Sequence, residues 1–192
     1  MHEKKLNLGS GAFKKEGYIN VDKEAIFQPD MQSDLNDVAA YDQFGTEEYD
    51  EILMSHVMEH LDKPFEVMKQ LHRMLKPGGT LIIEVPHFSR GFTHTEHTKG
   101  FDVTFPYYYD RRFAPGFYGI EFILKEMKLT WMIRFDIKQE VAHNPIVLGI
   151  AKGLNAIISA AANMSPYFCS RVWCYWVGGF EQIRYVFEKP QN

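Results

Sequence analysis

The chain has 192 residues, which suits one domain with a sizeable buried core. Its formal net charge is −4 and 24% of its residues are charged, so no basic field indicates nucleic-acid binding. The only cysteines, Cys169 and Cys174, match neither a CxxC redox pair nor a zinc framework, and they favour a reduced, cytoplasmic protein. Because an apolar strand begins at residue 6, we expect no signal peptide.

The first element is a short apolar strand, residues 6–8, that ends in Gly9-Ser10-Gly11. Such a turn lets the backbone approach a ligand where a side chain would collide. The next apolar run, residues 18–21, ends in Asp22, a carboxylate suited to accept hydrogen bonds from ribose hydroxyls. Together, the strand, the glycine turn and Asp22 predict a nucleotide-type ligand site, although Gly-x-Gly is also common in ordinary turns.

The residues after Gly11 indicate which nucleotide fits. A dinucleotide site needs a third glycine, a full helix and an acid about twenty residues on. Here Lys14 holds the third glycine position, Asp22 comes too early, and residues 12–17 leave room for one helical turn. A ligand with a ribose and no phosphate, such as S-adenosylmethionine, fits better than a nicotinamide cofactor.

Residues 49–86 predict a strand, a helix and a second strand. Glu51–Met54 is a short buried strand, and apolar residues recur at helical spacing over 65–75. Residues 76–79, Lys-Pro-Gly-Gly, are typical of a helix end followed by a glycine turn. Thr80–Val85 is rich in β-forming residues and stops at Pro86.

This stretch, with residues 6–11 and 33–37, resembles the class I S-adenosylmethionine-dependent methyltransferases, specifically the small type 11 group. The resemblance implies an α/β fold with a Rossmann-like, mostly parallel seven-stranded sheet, a short first crossover and an antiparallel last strand. In that family the glycine loop lies under the methionine part of the cofactor, the acid after strand two binds the ribose, and an Asp-Leu pair lies at the adenine. The cofactor-binding residues so implied are Asn7, Gly9, Ser10, Gly11, Asp22, Asp34, Leu35, Ser55 and His56.

Residues 87–109 begin where strand five ends, at the sheet edge that carries the ligand crevice in open α/β sheets. We therefore expect His87, His94 and His97 to lie over the methyl donor, and imidazole suits proton removal near neutral pH. Some family members carry a histidine before an aromatic residue, which His97 matches best. Two alternatives stay open: a metal site that combines the three histidines with Glu96, and polar loop residues that bond the backbone. We expect no metal.

The aromatic run 105–109 predicts either the wall of an acceptor pocket or a helix that packs on the sheet. Further on, residues 122–129, 131–137 and 180–188 alternate like strands, and they fill the roles of the antiparallel last pair. Between them, an apolar helical insertion spans about 145–177. Its stretch 146–164 contains polar residues, so we expect no membrane span and favour an active-site cover or a homodimer face over peripheral membrane contact.

The sequence thus predicts a single methyltransferase domain over 1–192, with a cofactor-binding half (1–86) and an acceptor half (87–192). The sequence does not identify the acceptor, and we expect it to be an oxygen or nitrogen of a small molecule, a glycan or a lipid-linked sugar. The alternative is a non-catalytic S-adenosylmethionine-binding protein whose second half is a partner surface.

Overall fold

A computed structural model describes residues 3–142 and 144–191. They form one seven-stranded sheet with the spatial order β3-β2-β1-β4-β5-β7-β6. The first five strands in the chain run parallel to one another, and β7 runs antiparallel to both β5 and β6. The predicted fold class is therefore confirmed. The strands are β1 (Lys5–Leu8), β2 (Ile19–Asp22), β3 (Met31–Gln32), β4 (Tyr49–Ser55), β5 (Leu75–Val85), β6 (Ile123–Thr130) and β7 (Gln182–Glu188).

Within the described residues, five α-helices accompany the sheet. Residues of α1 at helical spacing, Val67, Met68, Leu71 and Met74, are buried against the core. The remaining connections between the parallel strands are turns and short 3₁₀ helices. The α-helices are α1 (Pro64–Met74), α2 (Phe88–Gly91), α3 (Phe135–Ala142), α4 (Pro145–Met164) and α5 (Pro166–Arg171).

The crossover from β1 to β2 contains turns where one helical turn was expected, so that expectation was wrong. The side-chain amides of Asn7 and Asn20 form hydrogen bonds with the backbone of this crossover and with each other. Asn7 Nδ2 donates to Phe13 O at 3.2 Å and to Asn20 Oδ1 at 3.0 Å, and Asn20 Oδ1 also accepts from Lys15 N at 2.7 Å. Because these amides satisfy groups that a helix would bond internally, the chain crosses without one.

The expected glycine turn at 76–79 lies inside β5, which begins directly after α1. Leu75 pairs with Tyr49, and the register then shifts before Glu51 pairs with Thr80. Gly78, at φ +79°, takes a left-handed conformation at this irregularity.

The strand predicted over 131–137 is wrong, because β6 ends at Thr130 and α3 begins at Phe135. The backbone N–H of Trp131 donates to Ser159 Oγ at 3.0 Å and that of Met132 to Asn155 Oδ1 at 2.9 Å. These donors are therefore unavailable to a sheet partner. Arg134 then turns the chain at φ +54°.

Helix α4 docks on the end of β6 through a stripe of polar residues. Asn163 accepts from Leu129 N and donates to Leu129 O, both at 2.8 Å, and the stripe continues through the Ser159 and Asn155 contacts above. The apolar side chains Ile146, Ile150, Leu154 and Ile157 are exposed.

By length and composition alone, α4 is long and apolar enough to cross a membrane, and 11% of its most apolar window is buried in the protein. The expectation of no span rested on the internal polar residues, and these residues dock the helix on the protein. The absence of a span stays a prediction.

The aromatic run 105–109 forms a 3₁₀ helix that packs on the sheet, the second of the two alternatives. Phe105 and Tyr109 are buried, with ring centroids 5.5 Å from Tyr185 and 6.2 Å from Phe187 respectively. The run therefore belongs to the core.

Candidate functional site

The glycine loop after β1 is held against β2. The backbone N–H groups of Gly9 and Ser10 both donate to Val21 O, at 2.8 and 2.9 Å. Gly9 (φ +71°) and Gly11 (φ +48°) take left-handed conformations that residues with side chains rarely adopt. A Cβ on Gly9 would collide with Val57, whereas a Cβ on Gly11 would meet no atom within 4 Å. The loop thus combines a close backbone approach with an open side.

Asp22 ends β2 beside this loop and is 9% exposed. Its Oδ2 accepts from Gly11 N at 2.7 Å, and its Oδ1 accepts from Glu24 N at 2.9 Å. Each carboxylate oxygen keeps a second lone pair for a further donor. The backbone therefore fixes the carboxylate and leaves it able to accept hydrogen bonds from a ligand.

A first cavity of about 520 Å³ opens at the carboxyl edge of the sheet. It brings together five of the residues that the sequence implied for the cofactor, from four separate segments of the chain. Its lining comprises Gly9, Asp22, Lys23, Ser33, Asp34, Leu35, Asn36, His56, Val57, His60, Leu61 and Glu96.

A second cavity, also of about 520 Å³, shares Gly9 and His56 with the first. It takes in the other implied residues Asn7, Ser10 and Ser55, so that only Gly11 lines neither cavity. Several of its residues were missed by the sequence reasoning, because they lie in the β1–β2 crossover, in the segment misassigned as a strand, or within β5 and β7. These are Phe13, Glu84, Ile133, Arg134, Asp136 and Gln182, with Leu53 of β4.

His56 lies where the two cavities meet, in a left-handed backbone conformation (φ +56°). Its N–H donates to Glu84 O at 2.8 Å, its Nε2 is 3.2 Å from Gln182 Oε1, and its Nδ1 is 3.4 Å from Glu59 Oε1. Burial lowers the pKa of the imidazole, but Glu59 and Gln182 outweigh burial and hold the pKa above 6.5.

The structure does not bring the three candidate bases together. His87 is fully buried, with Nδ1 2.7 Å from Ser89 Oγ and Nε2 2.9 Å from Ser170 Oγ. Burial lowers the pKa of His87 to about 4. With both ring nitrogens paired inside the protein, His87 faces neither cavity.

His94 and His97 stack with ring centroids 4.7 Å apart. His94 is exposed, whereas His97 is mostly buried and its Nδ1 lies 2.6 Å from Gly91 O. Of this loop, Glu96 lines the first cavity, but the two histidines line neither. Both ring nitrogens of His87 pair with serine hydroxyls, so His87 does not join the loop residues considered from the sequence as metal ligands.

Residues 11–119 match the family model described as a methyltransferase domain, which covers more than half of the chain. The chain therefore belongs to this family. Curated protein sequences gave no match.

Solved structures share the fold. A SAM-dependent methyltransferase from Archaeoglobus fulgidus is 16% identical with a TM-score of 0.58, over 97% of this chain and 86% of that one. A SAM-dependent methyltransferase from Mesorhizobium loti is 11% identical with a TM-score of 0.57, over 98% and 91%. A Haemonchus contortus N-methyltransferase, in complex with phosphomonomethylethanolamine and S-adenosylhomocysteine, is 14% identical with a TM-score of 0.54, over 100% and 50%.

Fold and family together define a class I S-adenosylmethionine-dependent methyltransferase, and S-adenosylmethionine is the expected cofactor. The site fits that cofactor. The Ser10 hydroxyl is buried without a hydrogen-bond partner among the described residues, and Asp22 can still accept hydrogen bonds. A ligand with both donors and acceptors satisfies these groups.

Proposed function

We propose that this enzyme transfers the methyl group of S-adenosylmethionine to an oxygen or nitrogen of a small-molecule or glycan acceptor seated in the second cavity. The observation that carries the proposal is that two cavities of about 520 Å³ share Gly9 and His56 at the carboxyl edge of the sheet. In open α/β sheets that edge holds the ligands. A cofactor in one cavity and an acceptor in the other would therefore meet at this junction.

In this proposal the first cavity holds the adenosine. Asp22 accepts hydrogen bonds from the ribose hydroxyls, while Asp34 and Leu35 bind the adenine. The glycine loop 9–11 and the Ser10 hydroxyl hold the methionine part. The three segments converge on one cavity, which supports these roles.

The second cavity offers both charged groups and an aromatic face. Arg134 pairs with Asp136 at 2.8 Å and lies 4.7 Å from the centroid of the Phe13 ring. Glu84 accepts from Ser55 Oγ at 2.8 Å. Such a lining suits a polar acceptor with an apolar ring face, as sugars have.

Methyl transfer requires little from the protein beyond alignment of the acceptor atom with the methyl group. S-adenosylmethionine supplies an electrophilic methyl group when bound. The residues of the second cavity orient the acceptor atom toward it and exclude water, and His56 contributes to that orientation from the junction. The acceptor atom gains the methyl group and releases its proton, and S-adenosylhomocysteine is the second product.

The expectation that His87, His94 or His97 removes this proton stays a prediction. Burial and two paired nitrogens count against His87. If a loop base operates, replacing it lowers kcat by about 10²- to 10⁴-fold without weakening cofactor binding. His94→Gln and His97→Gln, assayed beside His87→Gln, assign the role.

We further propose that the chain belongs to the small type 11 group and works in the cytoplasm. The order of its motifs supports the first proposal, and the buried, unpaired Cys169 and Cys174 support the second. The exposed apolar side chains of α4 support a homodimer face. Ile150→Glu in that face should shift a dimer to monomer in analytical ultracentrifugation, and a chain that is already monomeric would contradict the proposed dimer.

The test of function is methyl transfer itself. The chain is incubated with S-adenosylmethionine labelled in its methyl group and a panel of sugars, lipid-linked sugars and small amines, and label in the acceptor is measured together with S-adenosylhomocysteine. Asp22→Ala serves as the cofactor-site control. Stoichiometric label in one acceptor, lost in the control, supports the proposal. Tight cofactor binding without transfer to any acceptor favours the non-catalytic alternative.

A further inference from the structure

The carboxylate of Glu59 is buried without a hydrogen bond from the described residues. The side chain is 1% exposed, and neither of its oxygens accepts a hydrogen bond among the described residues. Burying an ionised carboxylate is costly unless it is paired or coordinates a metal. The imidazoles of His56 and His97 lie 3.4 and 3.9 Å from Oε1, beyond normal hydrogen-bond length, so they compensate the carboxylate only in part.

Two imidazoles stand next to this carboxylate. Glu59, His60 and His97 each offer a ligand atom, and these atoms lie within 4.8 Å of one another. The His60 and His97 rings meet edge to face, with centroids 4.8 Å apart. The three residues come from two segments, the 3₁₀ helix after β4 and the loop after α2.

The orientation of His97 is also that of a metal ligand. Its Nδ1 faces Gly91 O at 2.6 Å, so Nδ1 carries the proton and donates it. In the neutral ring this leaves a lone pair on Nε2, which lies 3.9 Å from Glu59 Oε1. A backbone carbonyl that fixes the tautomer in this way is the usual outer partner of a metal-bound histidine.

We propose that Glu59, His60 and His97 bind a divalent transition-metal ion. Two imidazoles and one carboxylate suit zinc, manganese or iron rather than magnesium or calcium. Such ions lie about 2 Å from each ligand, so two ligand atoms of one ion are at most about 4 Å apart. The ligand atoms, now within 4.8 Å of one another, would have to shift by about 1 Å or less to meet this limit.

The ion would lie beside the cofactor cavity, because His60 and Glu96 both line that cavity. It would tie the loop that carries His97 to the segment after β4. The competing explanation is an ion pair between Glu59 and His56, whose Nδ1 is 3.4 Å away.

The test uses the full chain, freed of metal with a chelator and titrated with Zn²⁺ and with Mn²⁺ by calorimetry. We expect one ion per chain. Replacing a metal ligand should weaken metal binding by more than roughly 10- to 100-fold. That smaller loss is the one expected when a residue that only hydrogen-bonds to a ligand is replaced. The variants are Glu59→Gln and His97→Gln, and His72→Gln, a histidine of α1 outside the group, is the matched control. Co²⁺ loading gives a visible absorption spectrum that both variants should lose.

Melting temperatures separate the two explanations. If a metal compensates Glu59, Glu59→Gln raises the melting temperature of the metal-free chain and removes the rise that Zn²⁺ gives to the wild type. If the pair with His56 compensates it, Glu59→Gln lowers the melting temperature and metal has no effect on the wild type. The proposal is overturned if Glu59→Gln lowers the melting temperature while metal has no effect on the wild type. It is also overturned if the wild type binds no stoichiometric metal ion, or if both variants retain metal binding. His97→Gln keeps the test valid if Glu59→Gln does not fold.

Discussion

The carboxylate of Asp22 accepts a hydrogen bond of 2.7 Å from the backbone N–H of Gly11. The acid that ends β2 and the glycine loop that follows β1 therefore form one rigid unit, although eleven positions separate them in the chain. The backbone holds the carboxylate in place before any ligand arrives, so little ordering cost remains on binding.

Replacing Asp22 with alanine should weaken S-adenosylmethionine binding at least tenfold in calorimetry. Charge-assisted hydrogen bonds of the kind proposed to the ribose contribute about 1.5–3 kcal/mol each. Asp42→Ala, which removes a carboxylate whose side chain is 84% exposed, is the control and should bind normally. Unchanged affinity in folded Asp22→Ala would remove Asp22 from the site.

Valine at Gly11 should abolish cofactor binding, because its side chain would enter open space next to the cavity. Gly17→Val is the matched control, since Gly17 also has a positive φ (+80°) and open space around it but lies outside the glycine loop and does not bond Asp22. It carries the same backbone strain without the obstruction. Equal binding by the two variants would contradict a role for the position of Gly11 in cofactor binding.

Replacing Gly9 with alanine should destabilise the folded chain, because the new Cβ would collide with Val57. Adding Val57→Ala to that variant should restore part of the lost stability. The loss of stability that remains in the double variant measures the cost of the positive φ at position 9. Urea unfolding of the two single variants and the double variant measures the coupling. Additive losses would mean that the two residues do not touch.

His87 should make the protein less stable in mild acid. Burial lowers the pKa of His87 from 6.5 to about 4, so between these values the unfolded chain binds the proton and the folded chain does not. Stability therefore falls as pH drops from 6.5 toward 4, by about 2 kcal/mol between pH 7.5 and 5 for this one group. The nearby Asp102 and Arg171, which pair at 2.8 Å, act on the pKa of His87 in opposite directions, Asp102 raising it and Arg171 lowering it.

Urea unfolding of the wild type and His87→Asn at several pH values checks this prediction. The variant lacks the titrating ring, so its stability should depend less on pH in the same interval. Parallel pH profiles for the two chains would mean that His87 titrates normally in the folded state.

Asn163→Ala should destabilise the chain by about 1–3 kcal/mol, because it removes two hydrogen bonds to the backbone of the buried Leu129. Met164→Ala, at the adjacent 87% exposed position, is the control and should be nearly neutral. Equal midpoints in urea for the two variants would show that α4 does not depend on this docking contact.

The sheet and the first cavity could be predicted because their signals are local in the sequence. The glycine loop and Asp22 stand at the ends of two recognisable apolar strands, and the family resemblance implied the Asp34-Leu35 pair. Parallel strands bring their carboxyl ends to one edge. The alternating burial of β5 and β7 also follows from their sequences.

The second cavity could not be predicted, because its residues are distant in the chain and meet only through the order β1-β4-β5-β7. Residues 131–137 alternate like a strand, but side chains of α4 take the N–H groups of Trp131 and Met132. Tertiary contacts overrode the local pattern there. Nothing in the sequence indicated Glu59 as a site residue either, because only its burial in the folded chain distinguishes it from other glutamates.

A crystal structure of the chain with S-adenosylhomocysteine tests the central claim most directly. The account predicts ribose hydroxyls within hydrogen-bond distance of Asp22, adenine beside Asp34 and Leu35, and the sulfur directed past His56 toward Arg134 and Gln182. A cofactor bound elsewhere, or one whose sulfur points away from the second cavity, would contradict the account.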